Sequence, residues 1–270
     1  MKIIIEPGRA ATDYWRDLWR YRELMSFLAR RDIAVRYKQT AIGIAWALIR
    51  PLLTLAVFVA FRRMAGLQQG ALPDVILVLA AVLPWQFFST ALSESSSSLI
   101  GNTGLISKVY FPRLIIPIAA IGAAFVDFLI TLAFLAVTMA WYGVVPDARV
   151  LALPVFTALA ALLSLGLGLL MAALTVTYRD FRYIVPFMMQ LGLFVSPVAF
   201  SSSQVPEEWR GVYALNPLAG IIDGFRWSLL GGRTPLEPAL LASSIIFTVA
   251  ALGVGTWYFR RTERGFADAI

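Results

Sequence analysis

The chain has 270 residues, of which 59% are hydrophobic and 14% are charged, and its mean hydropathy is +0.76. This composition excludes an ordinary soluble domain and indicates a polytopic membrane protein. The apolar runs are long and continuous, which predicts helical spans rather than a barrel. Histidine and cysteine are absent and the formal net charge is +7, so disulfides, zinc sites, thiol nucleophiles and imidazole bases are excluded. No catalytic residue and no metal site is predicted.

Residues 1–40 are polar and basic and contain no span. Apolar side chains recur there at steps of three and four, which predicts one apolar helical face opposite a charged one. Such a helix lies in the headgroup region of a membrane, and packing on a soluble partner is the alternative. The apolar face consists of Tyr14, Leu18, Tyr21, Met25 and Leu28.

Six membrane spans are predicted in the following 220 or so residues. An even number of spans places both termini on one side of the membrane. That side carries 16 lysines and arginines and the other side carries six, while Arg50 lies within a span. Because the more basic side faces the cytoplasm, both termini are predicted to be cytoplasmic. The chain therefore divides into an N-terminal interfacial helix (1–40), a transmembrane domain (41–261) and a cytoplasmic tail (262–270). The predicted spans are 41–61, 74–98, 114–142, 151–176, 184–200 and 239–259.

The segment 201–238 is predicted to lie outside, and it contains a short apolar helix. Asn216 supplies a cap, Pro217 the first turn, and glycines the end of this helix. It is too short to span, which favours a re-entrant pair of helices that lines a cavity, with an ordinary extracellular cap as the alternative.

Arg50 is the most costly residue of the predicted spans, because a charge near mid-bilayer costs roughly 2.5–3.5 kcal/mol. It faces a hydrated cavity and a substrate phosphate, pairs with Asp127 on the third span, or snorkels to the interface. Aromatic clusters beside prolines, "PWQFF" at 84–88 and "LFVSPVAF" at 193–200, suit apolar sugar faces, with lipid-facing or interfacial residues as the alternative. The predicted channel lining is Arg50, Trp85, Phe87, Phe88, Phe194 and Phe200.

The connection between the second and third predicted spans combines cations with large aromatic side chains. Lys108 and Arg113 flank Tyr110 and Phe111, a mixture typical of a hot spot on a partner protein, although an ordinary anchored connection has the same residues. No lysine follows a G-x-x-x-x-G-K-[ST] loop, so the chain is not expected to hydrolyse ATP itself.

Five motifs stand out along the chain: "LISKVYFPR" (105–113), "RDFRYIVPF" (179–187), "SPV" (196–198), "LNPLAGIIDGFRWSLLGG" (215–232) and "RTERGFADAI" (261–270). In order and spacing they resemble the permease subunits of type-2 ABC exporters for bacterial polysaccharides, the group that exports O-antigen, capsule and teichoic acid. The resemblance extends over nearly the whole chain, and the ending resembles O-antigen and teichoic acid permeases more than capsule permeases.

The resemblance implies an all-α permease with six spans in the bacterial plasma membrane. It would form a homodimer, bind two cytoplasmic ABC ATPase subunits that hold ATP and Mg²⁺, and export an undecaprenyl-linked glycan, with no cofactor of its own and no nucleic acid partner. A coupling helix at 105–113 would contact the ATPase, and the turn at 178–182 would form a second contact. The predicted coupling residues are Leu105, Lys108, Val109, Tyr110, Phe111, Pro112, Arg113, Tyr178, Arg179, Asp180 and Arg182.

The resemblance also assigns the N-terminal helix to the substrate entrance and residues 205–232 to the closure of the outer exit. Ile221, Phe225 and Leu229 would form the outer gate. The entrance residues, some of which would hold pyrophosphate, are Trp15, Arg16, Trp19, Arg20, Arg36 and Lys38. Two other functions stay open: a type-2 ABC exporter of a drug or small lipid, and an ion-coupled secondary transporter.

Overall fold

A computed structural model describes residues 11–38, 45–66 and 72–266 of the chain. Within these ranges the structure is helical and contains no strand. The predicted boundary at residue 40 and the tail residues 267–270 lie outside the described residues. The helices are α1 (Ala11–Arg20), α2 (Arg22–Lys38), α3 (Ala45–Met64), α4 (Asp74–Gly101), α5 (Thr103–Ile106), α6 (Ile115–Trp141), α7 (Leu153–Thr177), α8 (Phe181–Val195), α9 (Glu207–Tyr213), α10 (Ala219–Leu229) and α11 (Pro238–Thr262).

Five of the described helices are long and apolar enough to cross a membrane, which confirms five of the predicted spans. They are α3, α4, α6, α7 with the turn before it, and α11. The structure does not confirm six spans. The predicted fifth span, 184–200, corresponds to α8, which has only 15 residues and rises about 22 Å against a hydrocarbon core of about 30 Å.

α8 nevertheless connects the two ends of the helix bundle. At one end, Tyr14 of α1 and Arg113 before α6 both contact Glu263 after α11. We call this the Glu263 end. At the other end, Arg226 of α10 binds the carbonyl of Val198, three residues beyond α8. We call this the Arg226 end. α1 and the end of α11 therefore share one end of the bundle.

α4 is the central helix, and most of its residues are buried between α6, α7 and α10. The main apolar core follows α4. A second cluster, at the Glu263 end, joins α1 and α2 to the start of α6 and to the ends of α7 and α11. The apolar face predicted for the N-terminal region is confirmed as a packing face. Its five side chains pack within the second cluster of this chain, and the region forms two helices that part at Tyr21.

Helices α7 and α11 approach closely at two glycines. A Cβ on Gly255 would lie 2.0 Å from the carbonyl oxygen of Gly166, and a Cβ on Gly166 would lie 2.5 Å from the backbone nitrogen of Leu252. Only glycine allows this backbone contact, a device common where membrane helices pack without a hydrophobic driving force.

Candidate functional site

A cavity of about 370 Å³ lies between α2, α3, α4 and α6. Its walls combine aromatic faces with charged, amide and hydroxyl groups, the mixture expected for a ligand with apolar and polar parts. It is lined by Arg36, Tyr37, Trp46, Ala47, Arg50, Leu83, Gln86, Phe87, Thr90, Glu94, Ala124, Asp127, Phe128 and Thr131.

Arg36 is held in the cavity wall by two carboxylates. Its guanidinium forms ion pairs with Glu94 of α4 and Asp127 of α6. The Tyr37 hydroxyl donates to the other oxygen of Asp127, and burial together with this hydrogen bond raises the pKa of Tyr37, so the hydroxyl remains a donor. These contacts tie the end of α2 to the last third of α4 and to the middle of α6.

Arg50 lines the same cavity and forms no ion pair with any described residue. Its side chain is exposed, and Asp127, its predicted partner, is already bound by Arg36 and Tyr37. The structure therefore does not support the alternative of an Arg50–Asp127 pair. With two arginines and two carboxylates the cavity wall is formally neutral, which favours an uncharged polar group over an isolated dianion.

The remaining residues predicted for the entrance lie on exposed surfaces of α1 and α2. Trp15, Arg16, Trp19 and Arg20 are exposed on α1, and Lys38 is exposed at the end of α2. Arg36 differs from them in exposure, because its side chain is partly buried between Glu94 and Asp127.

The predicted coupling residues separate into exposed and buried groups. We call Leu105–Arg113 the coupling segment. Lys108, Val109 and Tyr110 are exposed, whereas Phe111 and Pro112 are buried, and Leu105 and Arg113 are partly buried. In the α7–α8 turn, the four predicted residues Tyr178, Arg179, Asp180 and Arg182 are all exposed.

The predicted outer-gate residues lie in the core. Ile221, Phe225 and Leu229 of α10 are buried, and the ring of Phe225 lies 6.0 Å from that of Phe128 in an edge-to-face contact. α10 begins at Ala219, two residues later than the predicted start at Pro217, because the Asn216 side chain caps the N–H of Leu218 within a turn. The helix ends before Gly231 and Gly232, both at positive φ, as predicted.

A buried arginine fixes α10 at the Arg226 end. Arg226 is 3% exposed and donates hydrogen bonds to the carbonyls of Leu77, Phe200 and Val198 at 3.2, 2.9 and 2.9 Å. Desolvation lowers the pKa of Arg226 to about 10, which still leaves it charged at neutral pH.

Most of the predicted channel-lining aromatics do not line this cavity. Phe87 does, together with Arg50. Trp85 and Phe88 are buried in the core beside each other, Phe200 is partly buried, and Phe194 is exposed on α8.

The contacts of Glu94, Tyr37 and Glu263 are not predicted from the sequence. Glu94 is the single charged residue in the serine-rich end of α4. A charged side chain within a span is costly, and this cost indicates that Glu94 has an ion-pair partner. Glu263 carried no comparable signal, because its partners Tyr14 and Arg113 are 249 and 150 residues away.

Residues 23–230 match the family model described as ABC-2 type transporter. The match covers more than half of the chain, and the chain belongs to this family of membrane transport proteins.

Curated relatives match over nearly their whole length. An O-antigen export system permease protein, RfbA, from Myxococcus xanthus is 28% identical over 94% of this chain and 98% of the relative. RfbA from Klebsiella pneumoniae is 25% identical over 92% and 95%. A polysialic acid transport protein, KpsM, from Escherichia coli is 24% identical over 86% and 91%. The family and these relatives make this chain a multi-pass transport permease.

Proposed function

We propose that this chain is the channel-forming subunit of an ATP-driven exporter that moves a lipid-linked polysaccharide across the bacterial plasma membrane. The observation that carries the proposal is its similarity to O-antigen export permeases along almost the entire chain. The match to the polysialic acid transport protein covers less of both chains, which favours an O-antigen-like glycan over polysialic acid.

The Glu263 end faces the cytoplasm in this proposal. The coupling segment and the α7–α8 turn belong to that end, and most of the lysines and arginines lie in segments near it. α8 is then the sixth crossing, since it joins this end to Val198 at the other end.

Two ABC ATPase subunits supply the energy and bind ATP with Mg²⁺. They dock on the exposed side chains of Lys108, Val109 and Tyr110, with the α7–α8 turn as a second contact. An exposed tyrosine between a cation and a buried anchor is a typical hot-spot arrangement, because the buried anchor reduces the entropy lost on binding.

The substrate enters beside α1 and α2. Exposed Arg16 and Arg20 hold the pyrophosphate of an undecaprenyl-linked glycan, and the tryptophans Trp15 and Trp19 lie in the headgroup region. The formally neutral cavity with its hydroxyl, amide and aromatic groups suits the first sugar units, and Arg50 donates there to sugar hydroxyls.

A second copy of the chain completes the channel. Within α8 only Val185 is buried, and the exposed face carries Gln190 among large apolar side chains. The polar amide of Gln190 is costly to expose to lipid. Exposed Phe194 of α8 is in ring contact with buried Phe58 of α3, so the two helices are adjacent at this point. A homodimer with a hydrated path between the α8 helices accounts for this surface.

The test is co-purification followed by an export assay. The tagged chain, purified in detergent from its native membrane, should retain an ABC ATPase, and the reconstituted complex should export a lipid-linked glycan when ATP is added. Arg16→Ala with Arg20→Ala should reduce export, whereas Arg63→Ala, which removes an exposed charge at the Arg226 end, should not. Absence of an ATPase partner refutes the proposal. ATP-driven transport of a drug or small lipid without any glycan refutes the substrate assignment alone.

A further inference from the structure

The Glu263 carboxylate receives hydrogen bonds from two segments that are far away in the chain. The Tyr14 hydroxyl of α1 lies 3.1 and 3.0 Å from its two oxygens, and the backbone N–H of Arg113 donates to Oε1 at 2.8 Å. The Arg113 guanidinium in turn donates to the backbone carbonyl of Glu263. One residue therefore joins α1, the coupling segment and the end of α11.

The surroundings of this joint are aromatic and cationic. Arg260 lies 4.5 Å from the centre of the Tyr14 ring, and Arg113 lies 6.0 Å from that of Phe266. Phe266 packs edge-on against Phe259 of α11, with ring centres 5.2 Å apart. Burial and the negative charge of Glu263 raise the pKa of Tyr14, so its hydroxyl stays protonated and donates.

The path from the exposed side chains to the joint is short and rigid. Tyr110 is exposed, the next two residues, Phe111 and Pro112, are buried, and Arg113 follows with its contacts to Glu263. A buried aromatic residue and a proline leave little freedom between Tyr110 and Arg113. A displacement of Tyr110 therefore reaches Glu263 through three residues.

The other branch of the joint leads to α1. Tyr14 is one or two helical turns from the exposed residues Trp19 and Arg20 on the same 10-residue helix. Hydrogen bonds to a charged group are stronger than those between neutral groups, so the Tyr14–Glu263 contact keeps α1 attached while the coupling segment moves.

We propose that Glu263 is a positioning residue that transmits the movement of the coupling segment to α1 and so links ATPase docking to the substrate entrance. This inference rests on the proposed function, because the movement is the one that the ATPase subunits impose. Glu263 contacts neither ATPase nor substrate, and it acts through Tyr14 and Arg113.

The test uses the absence of cysteine in the sequence, since a single introduced cysteine is a unique labelling site in each chain. A fluorescent maleimide is attached at Trp19→Cys on α1, or at Ser107→Cys in the coupling segment. The complete complex with its ATPase is placed in nanodiscs, and emission is compared between the ADP state and the state trapped with ADP and vanadate.

In the otherwise unchanged complex both labels should respond to trapping. With Tyr14→Phe or Glu263→Gln, the response at position 19 should fall about fivefold or more, while the response at position 107 should persist. Tyr21→Phe is the matched control, because the Tyr21 hydroxyl on the same face makes no hydrogen bond with a described residue. Tyr14→Phe keeps the ring and its contact with Arg260, so it provides the test even where Glu263→Gln does not fold.

The failures are distinguishable. A full response at position 19 in both Tyr14→Phe and Glu263→Gln overturns the role of Glu263 and leaves the proposed function standing. An equal loss in Tyr21→Phe also overturns it, because the effect is then a general loosening of α1. A silent label at position 107 in the unchanged complex overturns the docking proposal itself, and the role of Glu263 with it.

Discussion

Tyr110 and Phe111 are consecutive residues with opposite environments. The Tyr110 side chain is 70% exposed, and the Phe111 side chain is 4% exposed and packs among apolar residues at the Glu263 end. One side chain is available to a partner and the other anchors the coupling segment to the bundle.

Alanine at these two positions should therefore give two different defects. Tyr110→Ala removes a hot-spot side chain and should weaken ATPase binding by about 2 kcal/mol with an unchanged melting temperature. Phe111→Ala leaves a cavity and should destabilise the protein by about 3–5 kcal/mol. Binding of the purified ATPase and thermal unfolding measure the two effects, and equal loss of stability in both variants would contradict the assignment.

Arg36 and Arg50 line one cavity but should differ in mutagenesis. Arg36→Ala leaves Glu94 and Asp127 without their cation and should lower stability by about 3 kcal/mol or more. Arg50→Ala removes an exposed side chain and should reduce export while the melting temperature stays unchanged. Export and thermal unfolding are measured on both variants, and restored stability in Arg36→Ala with Glu94→Gln and Asp127→Asn would confirm the ion pairs.

The crossing of α7 and α11 should depend on Gly255 and not on its neighbour Gly253. Gly255→Ala places a methyl group against the Gly166 carbonyl and forces the helices apart, so the folded protein should be lost or strongly destabilised, by about 3 kcal/mol. Gly253→Ala meets no atom within 4 Å and should be neutral or slightly stabilising. Expression in the membrane and thermal unfolding compare the two variants of the same helix.

Arg226 should be required for the position of α10. Its replacement by methionine leaves three buried carbonyls without their donor and should cost about 3 kcal/mol or more. Arg233→Met, an exposed arginine four residues beyond α10, is the control and should have little effect. A melting temperature unchanged by Arg226→Met would show that these hydrogen bonds do not hold the helix.

Asp223, on the same helix as Arg226, should make the stability of the folded protein depend on pH. Burial raises the pKa of Asp223 to about 6, although Ser202 and Arg226 oppose this and Glu237 assists it. Because the folded pKa lies above the unfolded value of 3.8, the stabilising contribution is complete below about pH 4 and is lost as the pH rises through about 6.

The contribution amounts to about 3 kcal/mol at most. Asp223→Asn should flatten the melting temperature between about pH 4 and 7, whereas Glu208→Gln, on the exposed side of α9, should leave the profile unchanged. A parallel profile for Asp223→Asn and the unchanged protein would assign the pH dependence to another group.

The sequence predicts the long helices well because the bilayer imposes a simple rule on them. Apolar runs of about 20 residues must become helices in order to satisfy their backbone, and α4, α6 and α11 end within about three residues of the predicted limits. α8 falls short because it ends at Val195 and the Ser196–Pro197 turn follows, which the apolar run through residue 200 does not reveal.

Side-chain partners are predicted less well, because they depend on packing between distant segments. Arg36 has the local character of an exposed basic residue at the end of an amphipathic helix, yet it pairs with residues 58 and 91 positions later. The coupling segment shows the intermediate case. Its mixture of cations and aromatic residues indicates a contact with a partner protein, but only the fold distinguishes exposed Tyr110 from buried Phe111.

The short α8 also has a consequence for the surrounding bilayer. A helix that rises about 22 Å beside a hydrocarbon core of about 30 Å creates a hydrophobic mismatch of about 8 Å, which the bilayer relieves by thinning or the protein relieves by covering α8 with another copy. Thicker membranes raise the cost of an uncovered α8. For the proposed homodimer, we therefore expect the acyl-chain length of the membrane to affect assembly, independently of the substrate.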